Sequence, residues 1–141
     1  MTVFYSAEMD GLLNSVPVSL PSGGVVDGNV RVKRSTITLD TQTTSDTIVI
    51  AKAKAGEAFM YGVVNSSATL GASATIAIGV TGSTGKYRAA ATHTAANTPV
   101  LFGVNAAVAT LAADEEIFIT IATANLPASG SLVVDMYFSA T

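Results

Sequence analysis

Two runs near the end of the chain decide its fold: Glu116-Ile117-Phe118-Ile119-Thr120-Ile121-Ala122 and Leu132-Val133-Val134-Asp135-Met136-Tyr137-Phe138-Ser139. In an extended backbone Ile117, Ile119 and Ile121 fall on one side, with Phe118 and Thr120 on the other. In the second run Leu132, Val134, Met136 and Phe138 oppose Val133, Asp135 and Tyr137. A two-residue period carried by β-branched and aromatic side chains is the pattern of half-buried strands. The segment between them, Thr123 to Ser131, contains Asn125, Pro127, Ser129 and Gly130 and is long for a tight hairpin. The two strands therefore either pair directly or lie in facing sheets.

Upstream the same rhythm recurs in short pieces. Thr47 to Ala51, Ala58 to Val64, Ala74 to Val80 and Lys86 to Ala90 read as short strands with breakers between them, the last two expected to pair across the glycine-rich turn Thr81 to Gly85. Phe59, Tyr61 and Val63 are expected on one face, and Ile76, Ile78 and Val80 inward. Asn29 to Arg34 alternates apolar and basic residues, but its parity disagrees with Ile37 and Leu39. That predicts a bulge near Arg34-Ser35 or two strands meeting there. Leu101, Val104, Val108 and Leu111 have helical spacing, weakened by Pro99, Gly103 and Asn105; one short strand is expected at Val100 to Phe102. About seven to nine short strands without a long helix predict an all-β fold, a single-domain antiparallel β-sandwich of jelly-roll-like form. Residues 30–141 would form the sandwich and residues 1–29 an extended N-terminal arm. The arm is crossed by breakers every few residues yet carries apolar anchors, among them Val3, Phe4, Tyr5, Leu12, Leu13, Val16, Val18 and Leu20. It is expected to lie along a surface, either its own domain or a neighbouring subunit.

Composition narrows the function classes. A chain of 141 residues suits one domain, which at that size buries roughly 70% of its unfolded surface. Charged residues make up 12%, half the usual share, against 49% apolar and a mean hydropathy of +0.49. Such a surface favours docking or self-association. No apolar run approaches the roughly 18 residues of a spanning helix. A membrane barrel would call for girdles of aromatics, and only 6% of residues are aromatic. Net charge −3 argues against nucleic acid as a partner, since the only basic cluster is Arg31, Lys33 and Arg34. The chain has no cysteine and hence no disulfide framework. Its first residues lack a basic segment followed by an apolar one, so synthesis in the cytoplasm is expected.

Reactive constellations are sparse. Gly79-Val80-Thr81-Gly82-Ser83-Thr84-Gly85-Lys86 has the flavour of a phosphate-binding loop, but position 80 is Val where Gly is needed and Tyr87 replaces the Ser or Thr after the lysine. A β-turn is the better reading. His93, the single histidine, sits among threonines and is expected to be a solvated or hydrogen-bonded loop residue. Asp114-Glu115-Glu116 precedes a strand, where neighbours diverge; it is expected to be a charged turn. No catalytic residue, cofactor or metal site is expected.

The segments Gly24-Val25-Val26-Asp27-Gly28-Asn29-Val30-Arg31-Val32-Lys33-Arg34, Ile76-Ala77-Ile78-Gly79-Val80-Thr81-Gly82-Ser83-Thr84-Gly85-Lys86-Tyr87-Arg88-Ala89 and Leu126-Pro127-Ala128-Ser129-Gly130-Ser131-Leu132-Val133-Val134-Asp135, with the Thr-rich turns, give the chain an overall character that resembles the small cysteine-free β-rich virion proteins of tailed bacteriophages, head decoration or cement proteins in particular. The resemblance implies a non-enzymatic homotrimer on the outer capsid surface of a virion. It would bind the major capsid protein and itself, and neither nucleic acid nor membrane. A carbohydrate- or receptor-binding β module of a phage fibre or tail is the alternative.

Overall fold

The computed structural model describes residues 16–18, 28–104 and 109–140. Eight strands follow in order: β1 (Asn29–Thr38), β2 (Thr47–Ala53), β3 (Ala58–Ser66), β4 (Thr75–Val80), β5 (Ser83–Thr92), β6 (Val100–Phe102), β7 (Glu115–Ala122) and β8 (Ser131–Ala140). They form two antiparallel four-stranded sheets, β1-β8-β3-β6 and β2-β7-β4-β5. Each strand pairs with its mirror in the chain: β1 with β8, β2 with β7, β3 with β6 and β4 with β5. The chain is thus one long hairpin, with its tip at Thr81-Gly82, rolled so that β3 also meets β8 and β4 meets β7. This is a jelly-roll-like sandwich.

The two deciding runs lie in facing sheets, each flanked on both sides by other strands. Ile117, Ile119 and Ile121 of β7 are at most 1% exposed, as are Leu132, Val134, Met136 and Phe138 of β8. Each such side chain contributes roughly 1.5 to 3 kcal/mol by leaving water. Around Phe138 the core becomes aromatic: the Phe59 ring lies 5.4 Å from that of Phe138, 4.7 Å from that of Tyr87 and 6.3 Å from that of Phe102, centroid to centroid.

Three expectations are corrected. β1 pairs with β8 over ten consecutive residues without a register shift, so there is no bulge at Arg34-Ser35. Its parity is set by Ile37 and Leu39, and Val30 and Val32 therefore point out of the sandwich. Phe59 and Tyr61 lie on opposite faces, because the ladder with β8 shifts between them and Met60 is the extra residue. Around Thr110 and Leu111 the backbone is extended rather than helical. Leu111 exchanges backbone hydrogen bonds with Gly56 and Glu57, and Thr110 bridges Ala58. Val108 lies outside the described residues. The expected strand at Val100–Phe102 is present.

The look-alike phosphate loop is the tip of the β4–β5 hairpin, as its spacing indicated. Val80 faces Ser83 across Thr81 and Gly82, with Gly82 at φ +81°. Beyond the turn β5 bows over β4, so a Cβ on Gly79 would stand 2.2 Å from the Ser83 carbonyl oxygen and 2.4 Å from the Thr84 carbonyl carbon. Gly79→Ala is expected to destabilise the domain by about 1 to 3 kcal/mol through this backbone clash. Thermal unfolding measures it, and an unchanged midpoint would contradict the close approach.

Candidate functional site

Buried polar groups come first, because they would carry any chemistry. Arg88 of β5 is 7% exposed, and its guanidinium donates to the carbonyl oxygens of Ile76, Ala91 (3.1 Å) and Thr92 (3.4 Å). It clasps the bulge where Ala89 and Ala90 oppose Ala77 alone. Carbonyl dipoles rather than a carboxylate hold this charge, and burial lowers its pKa. His93 follows at the end of β5 and is 2% exposed, not solvated as its polar neighbours suggested. Its backbone carbonyl accepts from Leu70, while its Nε2 meets no hydrogen-bond partner among the described residues. Burial, and then the charge of Arg88, hold the imidazole below its usual pKa.

The acidic cluster diverges as strand geometry requires. Asp114 accepts from Lys54 Nζ at 2.7 Å and the Ala55 amide at 3.0 Å, while Glu115 turns the other way to Lys86 and to the Tyr87 hydroxyl at 2.6 Å. Burial pushes the Glu115 carboxyl up, but hydrogen bonds from Lys86 and Tyr87 outweigh it and hold it below the ordinary range. Burial, then Glu115, push the Tyr87 phenol well above its usual value, so it stays protonated. These groups floor a half-open cavity of about 560 Å³ with Phe59, Gly103 and Leu111 on its walls. Glu115, Lys86 and Tyr87 there satisfy one another, and among the described residues that line the cavity no other nucleophile is hydrogen-bonded to a base. Among the described residues no cluster of His, Asp and Glu could hold a metal ion.

The basic cluster divides as well. Lys33 reaches the buried Glu57 at 3.0 Å and lies 5.2 Å from the Phe138 ring centre, closing one mouth of the sandwich. Arg34 points outward and binds Asp135 with two hydrogen bonds of 2.7 and 2.6 Å. As expected for gatekeepers, both lie on an edge strand, but each is engaged within the chain.

What remains is surface. The ladders align the outward residues of the β1-β8-β3-β6 sheet in rows: Val32, Tyr137 and Tyr61; then Arg34, Asp135, Val63 and Leu101; then Thr36, Val133 and Asn65. Tyr61 stacks on Tyr137 at 4.6 Å. Val30, Val32 and Leu101 are 57%, 55% and 57% exposed. All four strands contribute apolar residues to the face, interspersed with Thr36, Asn65 and the self-neutralising Arg34–Asp135 pair. Its apolar character arises from the parity conflict in β1, a signal that was visible in the sequence and has this face as its explanation. Of the expected contact residues, Val16 and Val18 are described, and they are 99% and 58% exposed. Val3, Phe4, Tyr5, Leu12, Leu13 and Leu20 lie outside the described residues.

No family model matches the sequence, and no curated protein does. Solved structures do share the fold, among them chains of three phage capsids. A chain of the cyanophage Pam1 capsid asymmetric unit superposes with a TM-score of 0.65 at 22% identity, over 81% of this chain and 86% of that one. A chain of the Ralstonia phage GP4 capsid gives 0.63 at 16% identity with the same coverage. A chain from the acid-stable capsid of the Helicobacter pylori bacteriophage KHP30 gives 0.59 at 8% identity, over 78% and 86%.

The His93 site predicts acid sensitivity. The imidazole is held neutral in the folded protein, whereas the unfolded chain takes up a proton below about pH 6.5. Stability is therefore complete above that pH and falls as pH drops towards the lowered folded pKa. Glu57, Asp114 and Glu115, whose pKa values are also held down, add losses only from about pH 4.5 downward. The unfolding midpoint should fall between about pH 7 and about pH 5, and His93→Gln should flatten that slope. An equal slope in both proteins would contradict it.

Proposed function

We propose that this chain is a structural, non-enzymatic virion protein of the decoration or cement type, seated on the outer surface of a phage capsid. The observation that carries the reading is the fold it shares, over about four-fifths of its length, with chains of three phage capsids. The surface is consistent with it. Charge is sparse, and one sheet face exposes Val30, Val32 and Leu101 beside the Tyr61–Tyr137 stack. Mechanically, the sandwich acts as a rigid block. Contacts with the major capsid protein and with copies of itself, as a homotrimer, clamp neighbouring positions of the lattice.

Residues 1–29 are the arm in this scheme, with Val3, Phe4, Tyr5, Leu12, Leu13, Val16, Val18 and Leu20 as contact residues. A contact of about 1,600 Å² suffices for specific binding, and repetition over a lattice adds avidity. Val16 and Val18, exposed on the isolated chain, suit such a role.

The protein should sediment with heads of the parent phage that have been stripped of decoration and raise their thermal stability. A chain lacking residues 1–27 should lose at least about tenfold in head affinity while its sandwich keeps its unfolding midpoint. Absence of the full chain from the head fraction would overturn the reading.

A further inference from the structure

We infer that the apolar outer face of the β1-β8-β3-β6 sheet is the seat for the N-terminal arm of a neighbouring copy of this chain. The inference rests on the arm-bearing structural role proposed above and names the surface that the arm uses.

Four observations converge on that occupant. The face carries an apolar strip centred on the Tyr61–Tyr137 stack, with Val30, Val32 and Leu101 more than half exposed around it and the Arg34–Asp135 pair beside it. Exposed apolar faces of this kind mark docking sites. The arm supplies matching chemistry, since residues 1–27 alternate apolar anchors with small polar residues. They carry Glu8, Asp10 and Asp27 but neither Lys nor Arg. Of the basic residues on the strand that borders the face, Lys33 and Arg34 are engaged by Glu57 and Asp135, and Arg31 is the exposed positive charge that the arm's acidic residues would meet at the margin.

Reach is also sufficient. Twenty-seven extended residues span up to about 90 Å, whereas four strands are only about 14 Å across. An arm leaving from Asn29, at the edge of its own sheet, can therefore extend to a neighbour's sheet. Finally, Val16 and Val18 are 99% and 58% exposed on the isolated chain, which leaves them open to contact with another molecule. Passing each arm to the next copy in one rotational direction makes a head-to-tail contact. Such a contact gives a ring where the rotation between copies closes, and a rotation of one third of a turn gives the trimer.

The test uses two full-fold variants in the absence of capsids. Val32→Glu puts a charge on the seat at an exposed position, leaving the arm intact. Deletion of residues 1–27 removes the arm and leaves the seat. Each alone should be monomeric by light scattering, with the sandwich unfolding as in the parent protein. Mixed with different tags, the two should capture each other at least about tenfold above self-capture, because one offers the arm and the other the seat. No capture, with each variant monomeric, would place the arm on its own sandwich and overturn the inference. Loss of assembly in Val32→Glu but not in the deletion would show two faces packing directly on each other and overturn it too. A monomeric parent protein would likewise contradict it. Capsid binding is read separately by sedimentation with heads, so failure of either statement leaves the other's result distinct.

Discussion

Everything in this domain depends on two rows of side chains meeting across the gap between sheets. Ile117, Ile119 and Ile121 project from β7 in one sheet, and Leu132, Val134, Met136 and Phe138 from β8 in the other. Both strands are central, so the rows fix the middle of each sheet and leave β1, β2, β5 and β6 at the margins. A sandwich of this size has no disulfide to reinforce it, and its small charge count leaves packing as the main source of stability. A one-residue slip in either central strand would turn its whole row to solvent, which is why the register is so strongly specified.

The rolled hairpin has a consequence for the surface. Pairing β1 to β8 over ten residues obliges β1 to follow the alternation of β8, whatever its own sequence prefers. Inward positions near its start are then occupied by basic residues. Lys33 is accommodated at the sandwich mouth by Glu57 and the Phe138 ring, and Val30 and Val32 are turned outward. An inverted amphipathic strand is costly for a free monomer and useful for a subunit. The apolar outer face is thus a product of the same register that builds the core.

How much of this was legible beforehand follows from which interactions are local. The rows on β7 and β8 are strictly periodic and were readable, as was a hairpin turn after Val80, although it was expected to run to Gly85 and Ser83 to Gly85 already belong to β5. The short strand at Val100–Phe102 was readable from its composition. The position of β7 and β8 in opposite sheets was not, because a nine-residue connection permits either arrangement. The bulge at Met60 left no trace in the run Phe59-Met60-Tyr61, since all three residues suit a strand; the bulge is defined by the partner β8. His93 was misjudged because its sequence neighbours are polar, whereas the folded chain leaves it 2% exposed, with its backbone carbonyl bonded to Leu70 and the charge of Arg88 acting on its ring. The parity conflict in β1 was seen, but local rules interpret such a conflict as a bulge, and only the ten-residue ladder shows it as an outward apolar edge.

Native-state hydrogen exchange tests the central role of the facing rows most directly. If β7 and β8 are the frame on which the remaining strands are hung, their amides exchange last, at the free energy of global unfolding, while those of the marginal strand β6 exchange earlier through local opening. Exchange of β7 or β8 ahead of the marginal strands, while the rest of the sandwich stays protected, would contradict the account.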